Sequence, residues 1–285
     1  MANEMTDRLP TLDDDGLYTP EVGDWAEQKY RLVSSYATMF STAMKGKWHR
    51  VYIDLFAGAG RARIKNNQRI VPASPLLALN VPHKFDLYIF CEKEKKIIDT
   101  LEKRVSKSYS GINSRFLHGD ANSLTEQLLK EIPQAHSSFK VLAFCFADPF
   151  ALENLAFDTI RQLSARFIDF LVLIPSGMDA ARNVSRYVIP SNLTVDKFLG
   201  LPMWRDKWRE AEKKGENFGA FITNCFGEQM TKLGYNYSGI DKTQQIRSTD
   251  KNLPLYRLAF FSRSDLGEKF WREARKYSND QMGLF

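Results

Sequence analysis

The strongest constraint on the fold is an alternation of apolar runs with amphipathic segments between residues 50 and 176. The apolar runs are 51–57, 86–92, 114–120, 140–150 and 169–175. Helical patterns separate them, at 75–80, 95–107, 123–132 and 155–165. Near-continuous apolar strands are typical of parallel sheets that are covered on both faces. The alternation therefore predicts an α/β fold with a doubly wound, Rossmann-like sheet.

The segments around these runs predict the domain organisation. Residues 1–17 are polar and contain Asp13-Asp14-Asp15, so we expect a flexible N-terminal arm. A helix is predicted from about residue 20 to residue 44, and with the alternating runs it forms a core over 18–176. The remaining predictions are a helical insertion for substrate or partner recognition at 177–234, completion of the core by a hairpin and a helix at 235–277, and a tail at 278–285.

Composition excludes several classes of protein. The hydrophobic fraction of 44% and charged fraction of 26% are those of a globular chain, and no apolar run approaches membrane-spanning length. The first residues are too polar for a secretory signal, so a cytoplasmic protein is expected. Cys91, Cys145 and Cys225 have neither metal-site spacing nor a disulfide pattern, which predicts no metal site. The net charge of +6 favours a polyanionic partner.

The first apolar run ends in a glycine turn, Asp54-Leu55-Phe56-Ala57-Gly58-Ala59-Gly60. In doubly wound folds ligands bind at the carboxyl ends of the strands, where glycines let the backbone approach closely. Position 63 is Arg and not the third glycine of the dinucleotide fingerprint, and no lysine follows with P-loop spacing. Glu92, Asp120 and Asp148 end later strands, so acidic side chains are predicted to share one rim with the turn.

This ordered set resembles the class I S-adenosylmethionine-dependent methyltransferases. The segments DLFAGAG, IFCE, HGDA and ADPF look like their first four motifs, and LYRLAFFSRSDLGEKFW resembles their closing hairpin and helix. The resemblance implies an open sheet with an antiparallel last strand. It also implies S-adenosyl-L-methionine as cofactor, bound by Asp54, Phe56, Gly58, Gly60, Glu92 (ribose), Asp120 (adenine) and Ala121.

A narrower resemblance covers most of the chain. The segment YTPEVGDWAEQKYRLVSSYATMF, followed by YIDLFAGAGRARI, SPLLAL, IFCEK and DPF, looks like the three-Cys-motif partner family. That resemblance implies a bacterial protein with a methyltransferase-like fold. It also implies a partner protein of the iron–sulfur, radical-enzyme type, which carries the three cysteines of the family name.

The fourth strand carries the candidate catalytic residues Asp148, Pro149 and Phe150. Enzymes that methylate exocyclic amines of bases often have a similar motif, in which a carbonyl and a carboxylate orient the amine and an aromatic ring stacks on the base. These residues favour a methyltransferase that acts on nucleic acid. A strand-ending Asp-Pro that only terminates the sheet is the structural alternative.

Four basic residues are predicted to contact the substrate. Arg61, Arg63 and Lys65 lie in a basic, flexible-looking loop after the glycine turn, and Lys29 lies on the apolar stripe of the first helix. The alternative for the loop is plain solvation. The alternative for Lys29 is a side chain that extends past the edge of the core into water.

Two other functions stay open at the level of sequence. One is a methyltransferase-like binding subunit of a radical-type iron–sulfur enzyme, without methyl transfer of its own. The other is a methyltransferase of the tRNA guanine-N2 type, or one for a small molecule or a protein.

The C-terminal residues suggest a further partner. Gln281, Leu284 and Phe285 resemble the short motif with which bacterial replication and repair proteins engage the DNA sliding clamp. Adjacent apolar side chains after a polar linker suit a small pocket on a partner. A clamp-binding tail makes DNA slightly preferred over RNA as the substrate. The alternative is that Leu284 and Phe285 fold back onto the domain.

Overall fold

A computed structural model describes residues 9–279. The strands are β1 (Glu21–Val22), β2 (His49–Asp54), β3 (Arg61–Ile64), β4 (Ile70–Pro72), β5 (Leu87–Glu92), β6 (Ser114–His118), β7 (Val141–Ala147), β8 (Ile168–Ile174), β9 (Gln244–Arg247) and β10 (Pro254–Phe261). The helices are α1 (Ala26–Met44), α2 (Ser74–Leu79), α3 (Lys95–Ser108), α4 (Thr125–Glu131), α5 (Phe157–Leu163), α6 (Val184–Tyr187), α7 (Thr194–Leu199), α8 (Trp204–Lys213), α9 (Phe218–Lys232) and α10 (Asp265–Asn279).

The main sheet has seven strands in the order β6-β5-β2-β7-β8-β10-β9. The first five strands in this order pair in parallel, and β10 is antiparallel to both β8 and β9. The predicted doubly wound sheet with a reversed last strand is therefore confirmed. The chain order reverses between β2 and β7, and such a reversal opens a crevice at the carboxyl ends of the two strands.

Aromatic side chains fill the interface between α1 and the sheet. The ring of Tyr36 on α1 lies 4.7 Å from Phe144 of β7 and 4.6 Å from Phe260 of β10, centroid to centroid. Beneath these rings the Tyr36 hydroxyl donates to the buried Asp169 carboxylate at 2.9 Å. This packing sets the first turn of α1 at the carboxyl edge of the sheet.

The helices of residues 184–232 pack with α4 and α5 on the opposite face. Trp204, Trp208 and Phe221 are buried there. Arg205 donates to Asp196 at 2.9 Å and also to the backbone of residues 187–192, so it holds α6 and α7 against α8. The segment 177–234 thus extends one face of the core.

The basic segment after the glycine turn is an ordered hairpin, and the prediction of a flexible loop was wrong. β3 pairs antiparallel with β4, and β1 joins β3 in parallel. Ala62 and Ile64 are buried whereas Arg61 and Arg63 are partly exposed, which is the alternation of a strand with one covered face.

The prediction of a flexible arm over residues 1–17 was wrong for residues 9–17. Leu9 is buried, and the Leu12 amide donates to the Ile70 carbonyl at 2.8 Å. Asp15 accepts two hydrogen bonds of 2.8 Å from the guanidinium of Arg104, which is only 3% exposed. The acidic run therefore anchors this segment to α3.

Two observations concern the ends and the surface of the chain. The predicted clamp-binding residues Gln281, Leu284 and Phe285 lie outside the described residues. Within residues 9–279, none of the helices is long and apolar enough to cross a membrane.

Replacing Arg104 with Met should lower the free energy of unfolding by about 3 kcal/mol, because it leaves the Asp15 carboxylate and several carbonyls without their donor. The exposed neighbour on α3 provides the control, since Lys103→Met should stay within about 0.5 kcal/mol of the parent. Urea denaturation measures both variants. Equal losses in the two would show that Arg104 does not anchor the N-terminal segment.

Candidate functional site

The loops that follow β2 and β7 meet where the strand order reverses. The Leu55 amide donates to the Phe146 carbonyl at 3.0 Å, and the Ala57 amide donates to the Cys91 carbonyl at 2.9 Å. These bonds extend the sheet by one step beyond Asp54 and set the glycine turn beside the ends of both neighbouring strands.

The two glycines of the turn are required for different reasons. Gly58 has φ +61° and a Cβ built on it would meet no atom within 4 Å, so its backbone borders open space. Gly60 has φ +81°, and a Cβ there would lie 2.7 Å from Leu101 Cδ1 of α3. Gly58 therefore leaves room for a ligand, whereas Gly60 lets the turn pack against α3.

Glu92 is held directly beside this open space. Its Oε2 accepts from the Gly58 amide at 3.0 Å, and its Oε1 accepts from the Glu94 amide at 3.0 Å. A carboxylate offers about four acceptor positions, so two backbone bonds orient it and leave capacity for hydroxyl donors. The prediction that Glu92 and the glycine turn lie together is supported by this contact.

Asp120 organises the next loop of the rim. Its Oδ1 accepts from the amide and the side chain of Asn122, at 3.0 and 2.9 Å, and its Oδ2 lies 3.5 Å from Lys93 Nζ. Asn122 in turn accepts from the Ala156 amide at 2.8 Å. Ala121 is buried behind the loop. Asp120 thus joins the loop after β6 to the segment that leads into α5.

Asp54 lies beneath the turn and is fully buried. Its carboxylate accepts from the Phe56 amide at 3.2 Å and from the Tyr52 hydroxyl at 3.1 Å. Burial raises the pKa of Asp54 to about 7. Phe56 is half-buried. Asp54 therefore stabilises the conformation of the turn and is not itself exposed to solvent or to a ligand.

Asp148 and Lys29 form an ion pair across the crevice. Lys29 Nζ in the first turn of α1 bonds Asp148 Oδ2, and the Lys29 side chain is 8% exposed. The ammonium also lies 5.4 Å from the Trp25 ring centroid and 5.2 Å from that of Tyr30. The alternative in which Lys29 extends into water is wrong, because Asp148 and two aromatic rings hold it inside.

Phe150 is exposed two residues after Asp148. Asp148 and Pro149 directly follow β7, Pro149 is buried, and Phe150 is 75% exposed. The Leu152 amide donates to Asp179 Oδ2 at 2.7 Å, which ties the loop after β7 to the turn after β8. The loop is thus fixed at its base while Phe150 faces solvent.

Arg61 and Arg63 are engaged by the N-terminal segment. Arg61 donates to the Asp13 carbonyl at 2.7 Å and lies 3.4 Å from Asp15 Oδ2. Arg63 donates to Asp14 Oδ2 at 2.7 Å, and Lys65 is exposed at the tip of the hairpin. The structure therefore does not bring the two arginines to the Asp148 crevice as free cations.

Several residues of the crevice were missed by the sequence analysis. The Trp25 ring lies 5.0 Å from the Tyr256 ring, and Tyr30 and Tyr256 are buried beside them. The one signal in the sequence was the position of Trp25 four residues before Lys29, which sets the two side chains on one helix face. Tyr256 comes from β10, more than 200 residues away, and no local pattern could have found it.

The three cysteines take no part in this arrangement. Cys91, Cys145 and Cys225 are buried, and burial raises the pKa of each thiol. A neutral, enclosed thiol is a poor nucleophile.

Comparisons with known proteins add weak likenesses. No family model and no curated protein match the chain. A Legionella pneumophila protein described as family DUF519 is 12% identical, with 88% of this chain and 93% of that chain covered and a TM-score of 0.46. The O-methyltransferase TomG from Streptomyces achromogenes, in complex with S-adenosylmethionine, is 11% identical, with 83% and 80% covered and a TM-score of 0.45. The Escherichia coli protein yhhF, named as a methyltransferase, is 20% identical, with 50% and 67% covered and a TM-score of 0.32.

TM-scores below 0.5 assign neither a family nor a substrate to this chain. Membership of the three-Cys-motif partner family therefore stays a prediction.

The buried Asp54 should make stability depend on pH. An unfolded chain ionises its aspartates near pH 4, whereas folded Asp54 keeps its proton up to about pH 7. The stabilisation that the raised pKa of Asp54 gives the folded state is therefore complete below about pH 4 and is lost as the pH rises to about 7.

Asp54→Asn removes this titration, so its free energy of unfolding should fall less between pH 5 and pH 8 than that of the parent. Urea denaturation at several pH values measures the slopes, with the exposed Asp206→Asn as control. Parallel slopes for parent and Asp54→Asn would contradict the raised pKa.

Proposed function

We propose that the chain is an S-adenosylmethionine-dependent methyltransferase that acts on an exocyclic amine of a nucleic-acid base. The observation that carries the proposal is the open space at Gly58. It lies at the reversal of the strand order, with Glu92 bonded to the Gly58 amide on one side and Asp148 on the other.

The residues around Gly58 fit this cofactor. The bare Gly58 backbone admits close approach, and Glu92 offers oriented acceptors for the two hydroxyls of a ribose. Asp120 Oδ2, on the next loop, can accept from an adenine amine. Asp54 and Gly60 stabilise the conformation of the turn on its buried side. When bound, the cofactor supplies a methyl group on a positively charged sulfur.

The end of β7 is suited to orient an amine toward that methyl group. Asp148 accepts a hydrogen bond from the amine, and Phe150 offers an exposed face on which a base can stack. The bound cofactor would supply its methyl carbon to the amine nitrogen, and its sulfur would keep the electrons of the S–C bond. Asp148 accepts the proton that the nitrogen releases. Positioning supplies much of the rate in such a transfer.

Support for a nucleic-acid substrate comes from charge and from Phe150. The net charge is +6, Lys65 and Lys93 are exposed, and Phe150 is exposed after β7. Arg61 and Arg63 would meet a phosphate backbone only after Asp13–Asp15 release them. The preference for DNA, the iron–sulfur partner protein and the sliding clamp rest on the sequence alone and stay predictions.

The first test is direct transfer. Purified protein is incubated with S-adenosylmethionine labelled in the methyl group and with denatured DNA or RNA, and label in the polymer is counted. Label in protein or small molecules alone, or in nothing, would contradict the nucleic-acid substrate.

Glu92→Ala should weaken S-adenosylhomocysteine binding about tenfold to a hundredfold, because the ribose hydroxyls lose an oriented acceptor worth roughly 1–3 kcal/mol. Titration calorimetry gives the affinity. Glu94→Ala is the matched control, since this neighbour is exposed and only its backbone amide contacts Glu92. An unchanged affinity in Glu92→Ala would remove the cofactor from this place.

A further inference from the structure

The turn that follows β8 is fixed between two elements of the candidate site. Ser176–Ala180 form one π-helical turn directly after the strand. A Cβ built on Gly177 would lie 2.0 Å from the Pro254 carbonyl oxygen, so the turn packs directly on the start of β10. On its other side, Asp179 Oδ2 accepts from the Leu152 amide at 2.7 Å. The turn therefore joins the loop after β7 to the first residues of β10.

Arg182 lies between this turn and α6, and its guanidinium is unpaired. The residue is exposed, and within residues 9–279 the guanidinium forms neither a hydrogen bond nor an ion pair. The arginines of β3 differ, because the N-terminal acidic run already engages them. A guanidinium carries five N–H donors in a planar fork and is always charged. Arg182 thus has its full donor capacity for a bound anion.

The Tyr256 hydroxyl is a second donor close to the same place. Tyr256 is 1% exposed, yet its hydroxyl oxygen is not sealed from solvent and has no hydrogen-bond partner within the described part of the chain. Burial raises the pKa of Tyr256, the Asp148 carboxylate raises it further, and the Arg182 guanidinium lowers it. Asp148 and Arg182 therefore both lie near this hydroxyl. Since buried hydroxyls normally have a partner, an open one indicates a bound group.

A phosphate is the anion that suits these donors in an enzyme that acts on nucleic acid. Its oxygens accept bonds from a guanidinium fork in pairs and accept equally well from a neutral hydroxyl. We propose, on the basis of the proposed function, that Arg182 and the Tyr256 hydroxyl bind a backbone phosphate next to the nucleotide whose base lies at Asp148.

This contact positions the strand without reading its sequence. Phosphate contacts fix the register and orientation of a nucleic acid, whereas contacts to base edges specify it. The pair would therefore bring each successive nucleotide of a strand to the same distance from Asp148. The choice of base is left to other groups.

Binding of a fluorescent single-stranded oligonucleotide, as DNA and as RNA, tests the charge of Arg182. Each phosphate contact on a single strand adds about 0.7 to the slope of log affinity against log salt. Arg182→Gln should therefore weaken binding about threefold to tenfold at low salt and flatten the slope by about 0.7. Fluorescence anisotropy at several salt concentrations gives both quantities.

Tyr256→Phe tests the hydroxyl and keeps the ring beside Trp25. Binding should weaken about twofold to tenfold because one hydrogen bond to an anion is lost. The salt slope should not change, because a neutral hydroxyl releases no counterion. Affinity equal to that of the parent would remove Tyr256 from the phosphate site.

Kinetics separate a phosphate contact from a role in the reaction. Arg182→Gln should raise KM for the nucleic acid by the factor seen in binding and leave kcat within about twofold, because the contact is the same before and during transfer. S-adenosylhomocysteine affinity should not change. Arg115→Gln is the control with the same change of charge, since Arg115 lies near the amino end of β6, at the opposite edge of the sheet. It should match the parent.

Several results would overturn the proposal. Arg182→Gln could bind as tightly as the parent, or bind more weakly at an unchanged salt slope, and either result would exclude a phosphate contact. A mononucleotide that competes at an equal concentration of phosphate groups would assign the site to a free nucleotide instead. If Arg182→Gln loses S-adenosylhomocysteine binding, Arg182→Lys decides, because it keeps the charge and a flatter slope in it would contradict the contact.

Failure of the proposed function gives a different result. A parent protein that binds S-adenosylhomocysteine but neither single-stranded DNA nor RNA would overturn the nucleic-acid substrate together with the phosphate site. A parent that binds and methylates nucleic acid without dependence on Arg182 would overturn the phosphate site alone.

Discussion

The guanidinium of Arg104 connects the parts of the molecule on which the site depends. It donates to both oxygens of Asp15, to the carbonyls of Leu17 and Tyr18, and at 2.6 Å to the Ala59 carbonyl. Ala59 lies between the two glycines of the turn. One buried cation on α3 therefore holds the N-terminal segment and the backbone that borders the candidate cofactor space. A buried guanidinium is stable only with such a full set of acceptors, so each of these segments is needed by the others.

The two carboxyl groups near the crevice, Asp54 and Asp148, lie at different depths below the surface. Asp54 lies deepest and is bonded to Phe56 and Tyr52, so burial favours its neutral form. Asp148 lies nearer the surface, where Lys29 supplies a counter-charge. The two carboxyl groups therefore lie in different environments, although Asp54 ends β2 and Asp148 directly follows the neighbouring β7. Asp54 shapes the turn, whereas the Asp148 side chain is paired with Lys29 and stays 16% exposed.

The net positive charge of the chain does not translate directly into an exposed basic surface, because some of the arginines are paired with acidic residues in the fold. Arg61, Arg63 and Arg104 are all engaged by the acidic run Asp13–Asp15. Two clusters of opposite sign, about 50 residues or more apart, thus neutralise each other, and the net charge does not mark a free basic surface there. A polyanion would have to compete with carboxylates that are already paired. The N-terminal segment is therefore part of the folded surface of the protein.

The sequence by itself determined the sheet, the glycine turn and the acids at the strand ends, because each depends on local pattern: continuous apolar runs, a residue with positive φ, and a side chain directly after a strand. It misjudged 61–73 and 9–17, where basic and acidic composition concealed a strand alternation and a set of ion pairs. Only the tertiary structure decided that Lys29 meets Asp148, 119 residues away, and that Tyr256 stands beside Trp25. Such pairs arise from the packing of α1 and β10 on the sheet, and a contact between distant segments leaves no periodicity in either of them.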